Sequence, residues 1–293
     1  MNPIALYFVS GDSLYLGSAL LLTAIVASPH LKRRWMIRSR NIAAWLAVAL
    51  IVMACPPFRW IVYAVFLAAF VVWFALVNGE ARSGNWARLR SSVAIVLFLS
   101  VLAVSASELA HRRMPSISGT PSDHLTVIGD SLSAGIDSRT PAWPQLYEQI
   151  AGVSVKNLSK AGAGVAEGRA MADKFTPDDR VILIELGGND LLADAPSEEF
   201  ERNLDLLLSK IATPGRTIVM FELPLLPNSV QYGRIQRRLA AKYGVWLIPK
   251  HYLVAVIGGA DATLDGLHLS ATGARRMASL VATCLSSVLK SPA

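Results

Sequence analysis

Four apolar stretches, nearly free of charge, fill the first third of the chain: roughly residues 4–28, 42–55, 60–77 and 93–110. A helix that crosses a bilayer needs about 20 mostly apolar residues, and flanking Arg side chains that reach back to the interface relax the requirement. Over all 293 residues the hydrophobic fraction is 53% and the mean hydropathy +0.43, more than an ordinary water-soluble chain carries. Part of the protein is therefore expected in lipid, as about four transmembrane helices, the second stretch being the shortest of them.

Charge divides the chain in the same place. Up to Pro115 there are eleven Lys and Arg against three Asp and Glu; beyond it the count is seventeen against eighteen, so the net charge of +7 belongs to the apolar part. A basic excess there signals membrane topology and speaks against a nucleic-acid partner. "HLKRRWMIRSR" carries five Lys or Arg and "NGEARSGNWARLR" three, so both are expected on the cytoplasmic side, with two crossings between them and Pro56-Pro57 as the turn. Four crossings then put the N-terminus and everything beyond Ala110 outside, which in a bacterium is the periplasmic side of the inner membrane; Arg112 and Arg113 pull weakly the other way. The first stretch has no basic start and contains Asp12, which favours an uncleaved helix over a removed signal peptide. Cys55 and Cys284 are the only cysteines, which leaves no disulfide framework and no Cys metal site.

Pro, Ser and Gly in "HRRMPSISGTPSDH" mark a linker. The expected organisation is a transmembrane helical region (1–114), a linker (115–123) and a second domain (124–293). In that domain "HLTVI", "VSVKN", "RVILIEL", "TIVMFEL" and "VWLIP" read as strands. They alternate with helical runs such as "SEEFERNLDLLLSKIA" and "SATGARRMASLVATCLSSVL". Such alternation predicts an α/β fold whose parallel sheet is covered on both faces and binds ligands at the carboxyl ends of its strands.

The tetrapeptide Gly-Asp-Ser-Leu occurs twice, around Ser13 and around Ser131. Ser13 is embedded in an apolar run with no strand before it, and a hydroxyl bonded back to a helix carbonyl is its expected state. Ser131 follows a strand and opens a turn into a helix, where a hydroxyl can be exposed and negative charge stabilised. Downstream of Ser131 come "NLSKAGAG", "ELGGND" and "DGLHLS", containing Gly162, Asn189, and Asp265 with His268.

With these four blocks in order, the chain from Leu125 to Leu289 resembles the SGNH (GDSL) hydrolase superfamily, especially its periplasmic thioesterase/lysophospholipase and arylesterase branch. The resemblance implies a three-layer α/β/α, flavodoxin-like domain and a serine hydrolase that uses no cofactor and no metal. It implies Ser131 as nucleophile, His268 as its base and Asp265 as the group that orients the imidazole, because a serine hydroxyl attacks an acyl carbon only when a neutral imidazole takes its proton. It also implies an oxyanion hole from the amides of Ser131 and Gly162 and the side chain of Asn189, with Gly164 a rival for the glycine. Asp130 is expected to organise the turn. Asp190 and Asp194 suggest a metal only weakly, since no ligand cluster accompanies them. "ELPLLPNSVQYG" follows a strand, so Leu223, Leu225 and Leu226 are expected to border the acyl pocket, or else to pack the sheet edge.

The expected function is a membrane-anchored esterase acting on acyl esters: lysophospholipids, thioesters, simple esters or O-acetyl groups of an envelope glycan. The alternatives are an acyltransferase acting on an envelope polysaccharide and a non-catalytic membrane assembly subunit with a hydrolase fold. The bilayer is the expected partner in every case, with an envelope polysaccharide or another membrane protein as possible further ones.

Overall fold

The computed structural model describes residues 2–79, 84–136 and 140–290. It forms two compact units, one made mainly of residues 7–112 and the other of residues 113–225 and 231–293.

In the first apolar stretch α1 (Pro3–Val9) ends at a turn before α2 (Ser13–Ala27), because Ser10 and Asp12 form a side-chain pair at 2.7 Å and Gly11 takes φ 81°. Asp12 is neutralised by Arg112 at 2.6 Å. α3 (Arg34–Met53), α4 (Trp60–Asn78) and α5 (Gly84–Ala110) follow. Residues 13–30, 34–53, 60–78 and 85–110 are long and apolar enough to cross a membrane. The second stretch thus gains length toward its N-terminus. Its helix starts among the arginines because Arg40, though buried, donates to the side-chain oxygens of Asn41, Asn78 and Ser28. Leu21, Ala44, Ala47, Phe70, Trp73 and Leu97 are fully buried within this unit.

The second unit contains, in chain order, β1 (His124–Gly129), α6 (Ser131–Ala134), α7 (Trp143–Ala151), β2 (Ser154–Asn157), α8 (Val165–Ala172), β3 (Val181–Glu185), α9 (Gly188–Leu192), α10 (Ser197–Ile211), β4 (Thr217–Phe221), α11 (Val230–Tyr243), β5 (Trp246–Ile248), α12 (Lys250–Ile257) and α13 (Ala271–Leu285). The strands form one parallel sheet in the order β2-β1-β3-β4-β5. Successive strand residues face opposite sides. Leu125, Val127, Leu183, Val219 and Phe221 share one core with Trp143 of α7, Leu253 of α12 and Met277 and Val281 of α13. Their neighbours Ile128, Ile182, Ile184 and Met220 are buried on the other face, the side of the layer containing α8 and α10. α10 shows why these segments are helical: Phe200, Leu204, Leu207, Leu208 and Ile211 form a buried stripe, with Glu198 and Glu199 in the first turn and Lys210 in the last, as the helix dipole favours.

The order places a topological switch between β1 and β3, where the connections leaving the two strands run in opposite directions and open a crevice at the strands' carboxyl ends. The other end of the sheet is pinned by Asp179, fully buried and bonded to Lys156 at 2.8 Å and to the Thr126 hydroxyl. Burial raises its proton affinity, but those bonds and the Thr176 amide outweigh it and hold the carboxyl well below its usual range. The stretch 115–123 is laid onto this unit: Ile117 is part of its core, its carbonyl accepts from the Ser287 hydroxyl at 2.7 Å, and Ser122 forms a bridge with Leu289.

Candidate active site

β1 carries the chain into the switch crevice and stops at Gly129. The Asp130 N–H donates to the Glu185 carbonyl at 3.1 Å, a last sheet-like bond to β3, and its carboxylate caps the next turn by accepting from the Leu132 N–H at 2.9 Å. That cap opens α6, whose first residue is Ser131. β3 delivers the second block: Gly187 turns the chain with φ 106°, and Asn189 sits in α9. The Asn189 side-chain N–H group donates to Asp130 Oδ2 at 3.2 Å and to the Ala163 carbonyl at 2.9 Å, so it ties the Ser131 turn to the glycine block.

Within that block the two candidate glycines differ. Gly162 has φ 77°, a conformation that disfavours a side chain, and nothing stands within 4 Å of where a Cβ would be. Among the described residues no hydrogen bond engages its N–H. Gly164 instead donates its N–H to Glu167 at 2.9 Å and faces the Asp190 carboxylate, 2.9 Å from a Cβ position. Asp190 accepts from the Val165 N–H at 2.9 Å; it secures the start of α8, and burial raises its pKa.

His268 and Asp265 lie on the loop between α12 and α13. Asp265 Oδ1 accepts from the N–H groups of Leu267 at 2.9 Å and His268 at 2.8 Å, while Oδ2 bonds His268 Nδ1 at 2.6 Å. The His268 side chain and those two amides hold the Asp265 carboxyl well below its usual range. With Nδ1 committed to a carboxylate, Nε2 is the nitrogen left to accept a proton. The loop reaches the Ser131 turn. His268 is close enough to Asp130 to lower its pKa, against the larger effect of burial, and one cavity of about 20 Å³ is lined by Ser131, Leu132, Ile136 and Trp143 together with Leu264 and Leu269. Among the described residues no direct hydrogen bond joins Ser131 to His268; such contacts commonly tighten only when substrate binds.

The structure therefore gathers Ser131, Gly162, Asn189, Asp265 and His268 around the carboxyl ends of β1 and β3. Ser13 is elsewhere: fully buried in the helical unit, its hydroxyl donates to the Leu50 carbonyl at 3.0 Å. Leu223, Leu225 and Leu226 do not line the cavity beside Ser131. Leu223 is turned inward, its N–H bonded to the Gln236 side chain at 2.9 Å, Leu225 is 1% exposed, and Leu226 is 42% exposed. The wall comes from the segment after α6, whose Ile136 is an unremarkable surface residue in the sequence. Glu185 is also absent from the sequence reading. Its signal was available, an acidic residue in the otherwise apolar strand "RVILIEL".

Fold and site together define a serine hydrolase of the α/β class. The pattern of the GDSL-like Lipase/Acylhydrolase family matches residues 127–276, which include all four blocks, and the chain belongs to that family: it is a carboxylic ester hydrolase. It is 34% identical to an arylesterase of Vibrio mimicus over 169 residues, 52% of this chain and 83% of the relative. It is 32% identical to thioesterase 1/protease 1/lysophospholipase L1 of Escherichia coli strain K12 over 142 residues, 43% of this chain and 66% of that protein. A crystal structure of TesA aligns with a TM-score of 0.49 at 27% identity, covering 57% of this chain and 99% of the other.

Proposed function

We propose that the protein is a membrane-anchored serine esterase in which Ser131 attacks the acyl carbon, His268 takes its proton and returns it to the leaving group, and Asp265 fixes the imidazole. Water activated by the same imidazole then releases the acid. The tetrahedral oxyanion is received by the N–H groups of Ser131 and Gly162 and by Asn189, which gives up part of its bonding to Asp130 and the Ala163 carbonyl as charge develops. The observation that carries this reading is the Asp265–His268 pair brought to the Ser131 turn, with an unengaged Gly162 amide in the block that Asn189 ties to that turn. The cavity beside Ser131 is walled largely by apolar side chains, Leu132, Ile136, Trp143, Leu264 and Leu269 among them, which suits an acyl group. The esterase and lysophospholipase activities named for the relatives support simple esters and lysophospholipids as substrate classes, and O-acetyl groups on an exported glycan are a further candidate. Four apolar helices anchor the chain, with the site on the outer face of the membrane.

Fluorophosphonate labelling of the full-length protein tests the core of this reading. Labelling that disappears in Ser131→Ala is expected, together with turnover of esters in an acetyl-to-octanoyl panel. Folded wild-type protein that neither labels nor hydrolyses any ester in an acetyl-to-octanoyl panel would sink it.

A further inference from the structure

Ser133 stands two residues beyond Ser131 in the four-residue helix α6 and is fully buried. Its hydroxyl is used in both senses: it donates to Glu185 Oε2 at 2.9 Å and accepts from the Trp143 indole N–H at 3.1 Å. Its backbone is held as well, the N–H donating to the Asp130 carbonyl at 3.2 Å and the carbonyl accepting from the Asn157 side chain at 2.9 Å. Glu185, 5% exposed, ends β3 after four apolar residues and is paired in register with Gly129. The same Oε2 also accepts from the Asp130 N–H at 3.3 Å, so one buried oxygen grips the chain on both sides of Ser131. A Cβ on Gly129 would lie 2.7 Å from Ser133 Oγ and 3.0 Å from Glu185 Oε2, so glycine at the head of the tetrapeptide lets these two side chains meet.

We propose that Ser133 is a positioning residue of the esterase site: the bond from its hydroxyl to Glu185 anchors the turn that carries Ser131, and its bond from the Trp143 indole ties that turn to the wall of the adjoining cavity. The inference rests on the reading of Ser131 as nucleophile. A single helical turn does not hold itself, because its first hydrogen bond has to offset the ordering of several residues. The shape of α6 is therefore set from outside, by the Asp130 cap on Leu132 and by Ser133 on Glu185. The Glu185 carboxyl keeps acceptor capacity with or without a proton, so the anchor does not depend on its charge. Ser131 supplies both the attacking oxygen and an oxyanion donor, and a displacement of about 1 Å in such groups can lower a rate on the order of 10²-fold. Trp143 lines the cavity beside Ser131, so removing the Ser133 hydroxyl frees the turn and the wall together.

The test uses the full-length protein in nanodiscs, with kcat normalised by fluorophosphonate titration of active serines. Ser133→Ala, which removes one oxygen, should lower kcat about tenfold or more with KM within about twofold. Glu185→Leu removes the anchor from the other side and should do the same. The double variant should fall no further than the less active single variant, since both break one bond. Glu185→Gln keeps an acceptor for the hydroxyl and should retain most of the wild-type kcat. Losses that multiply in the double variant would overturn the role, as would equal losses in Glu185→Gln and Glu185→Leu, or a Ser133→Ala protein that lowers only melting temperature and titratable serine. If Glu185→Leu yields no folded protein, the contrast between Ser133→Ala and Glu185→Gln decides; Ser133→Cys, whose thiol is a weak donor and acceptor, replaces a Ser133→Ala that does not fold. Folded wild-type protein that is neither labelled nor active would remove the esterase reading, and the positioning role with it. A labelled, active wild type beside an equally active Ser133→Ala would remove the positioning role alone.

Discussion

At the scale of single residues, two serines with the same four-residue neighbourhood have opposite surroundings. Ser13 gives its hydroxyl to the Leu50 carbonyl inside a helical pair, while Ser131 stands at the end of β1 with His268 on the facing loop. Ser131→Ala and His268→Ala are each expected to cut kcat by roughly 10⁶, the scale on which a nucleophile or its base acts, with the fold intact. Ser13→Ala should leave ester turnover at the wild-type level, and a folded Ser13→Ala protein without activity would contradict the assignment. Asn189 makes a finer case. Its side-chain N–H group is shared between Asp130 and the Ala163 carbonyl, so serving an oxyanion means giving up part of that bonding as charge develops. Asn189→Ala should therefore lower kcat by about 10²–10³ with KM little changed. A rise in KM at constant kcat would mark Asn189 as a substrate-binding residue instead.

At the scale of elements, what could be read from the sequence followed from how local the signal was. The strands and most helices of the α/β unit, and the four apolar helices, are set by the spacing of apolar residues within each segment, and the reading found them. The start of α3 was misplaced because Arg34, Arg38 and Arg40 look like a loop; only the long-range bonds of Arg40 to Asn78 and Ser28 explain how a helix begins there. Leu226 and Ile136 are alike in sequence as isolated aliphatic residues after a strand or helix, and only the folded chain shows that Ile136 lines the cavity beside Ser131. Ile136→Ala is accordingly expected to shift the preference between acetyl and hexanoyl esters by about 1–3 kcal/mol, while Leu226→Ala leaves the chain-length profile as it is. The reverse pattern in a panel of ester rates would return the acyl pocket to the loop after β4. At the opposite end of the sheet Asp179 joins β1, β2 and the entry to β3. Asp179→Ala should cost about 3 kcal/mol, since it leaves Lys156 facing an emptied buried site. Its folded pKa is depressed, so its stabilisation is complete above the ordinary Asp pKa and is lost as pH falls through the lower folded value. The gap in melting temperature between wild type and variant should thus narrow in acid; a gap independent of pH would deny the charge any part in it.

At the scale of the whole molecule, each unit has a core of its own, and every residue of the candidate site belongs to the α/β unit. Three of the four blocks are local turns that follow a strand, and the fourth lies on the loop between α12 and α13, so each could be read from a short run of residues. The extent of the unit was harder to see, because Pro, Ser and Gly between Pro115 and Asp123 have the composition of a free linker while Ile117 among them is 4% exposed. This sets where the chain can be cut. A protein starting at Arg113 keeps Met114 against Cys284, Ile117 in the core and the Ser122–Leu289 bridge. It should fold without lipid and turn over small soluble esters at close to the full-length rate. A protein starting at Asp123 retains all four blocks but loses Ile117, and burying or losing one such side chain is worth about 2–5 kcal/mol, a large part of a domain's total stability. It should melt well below the longer one and carry correspondingly less titratable serine, with unchanged kcat per active serine. Calorimetry and fluorophosphonate titration on the two proteins separate stability from chemistry. If the protein starting at Arg113 is well folded and yet inactive on esters that the full-length chain hydrolyses, the site needs residues from outside the α/β unit, and its assignment to that unit alone fails.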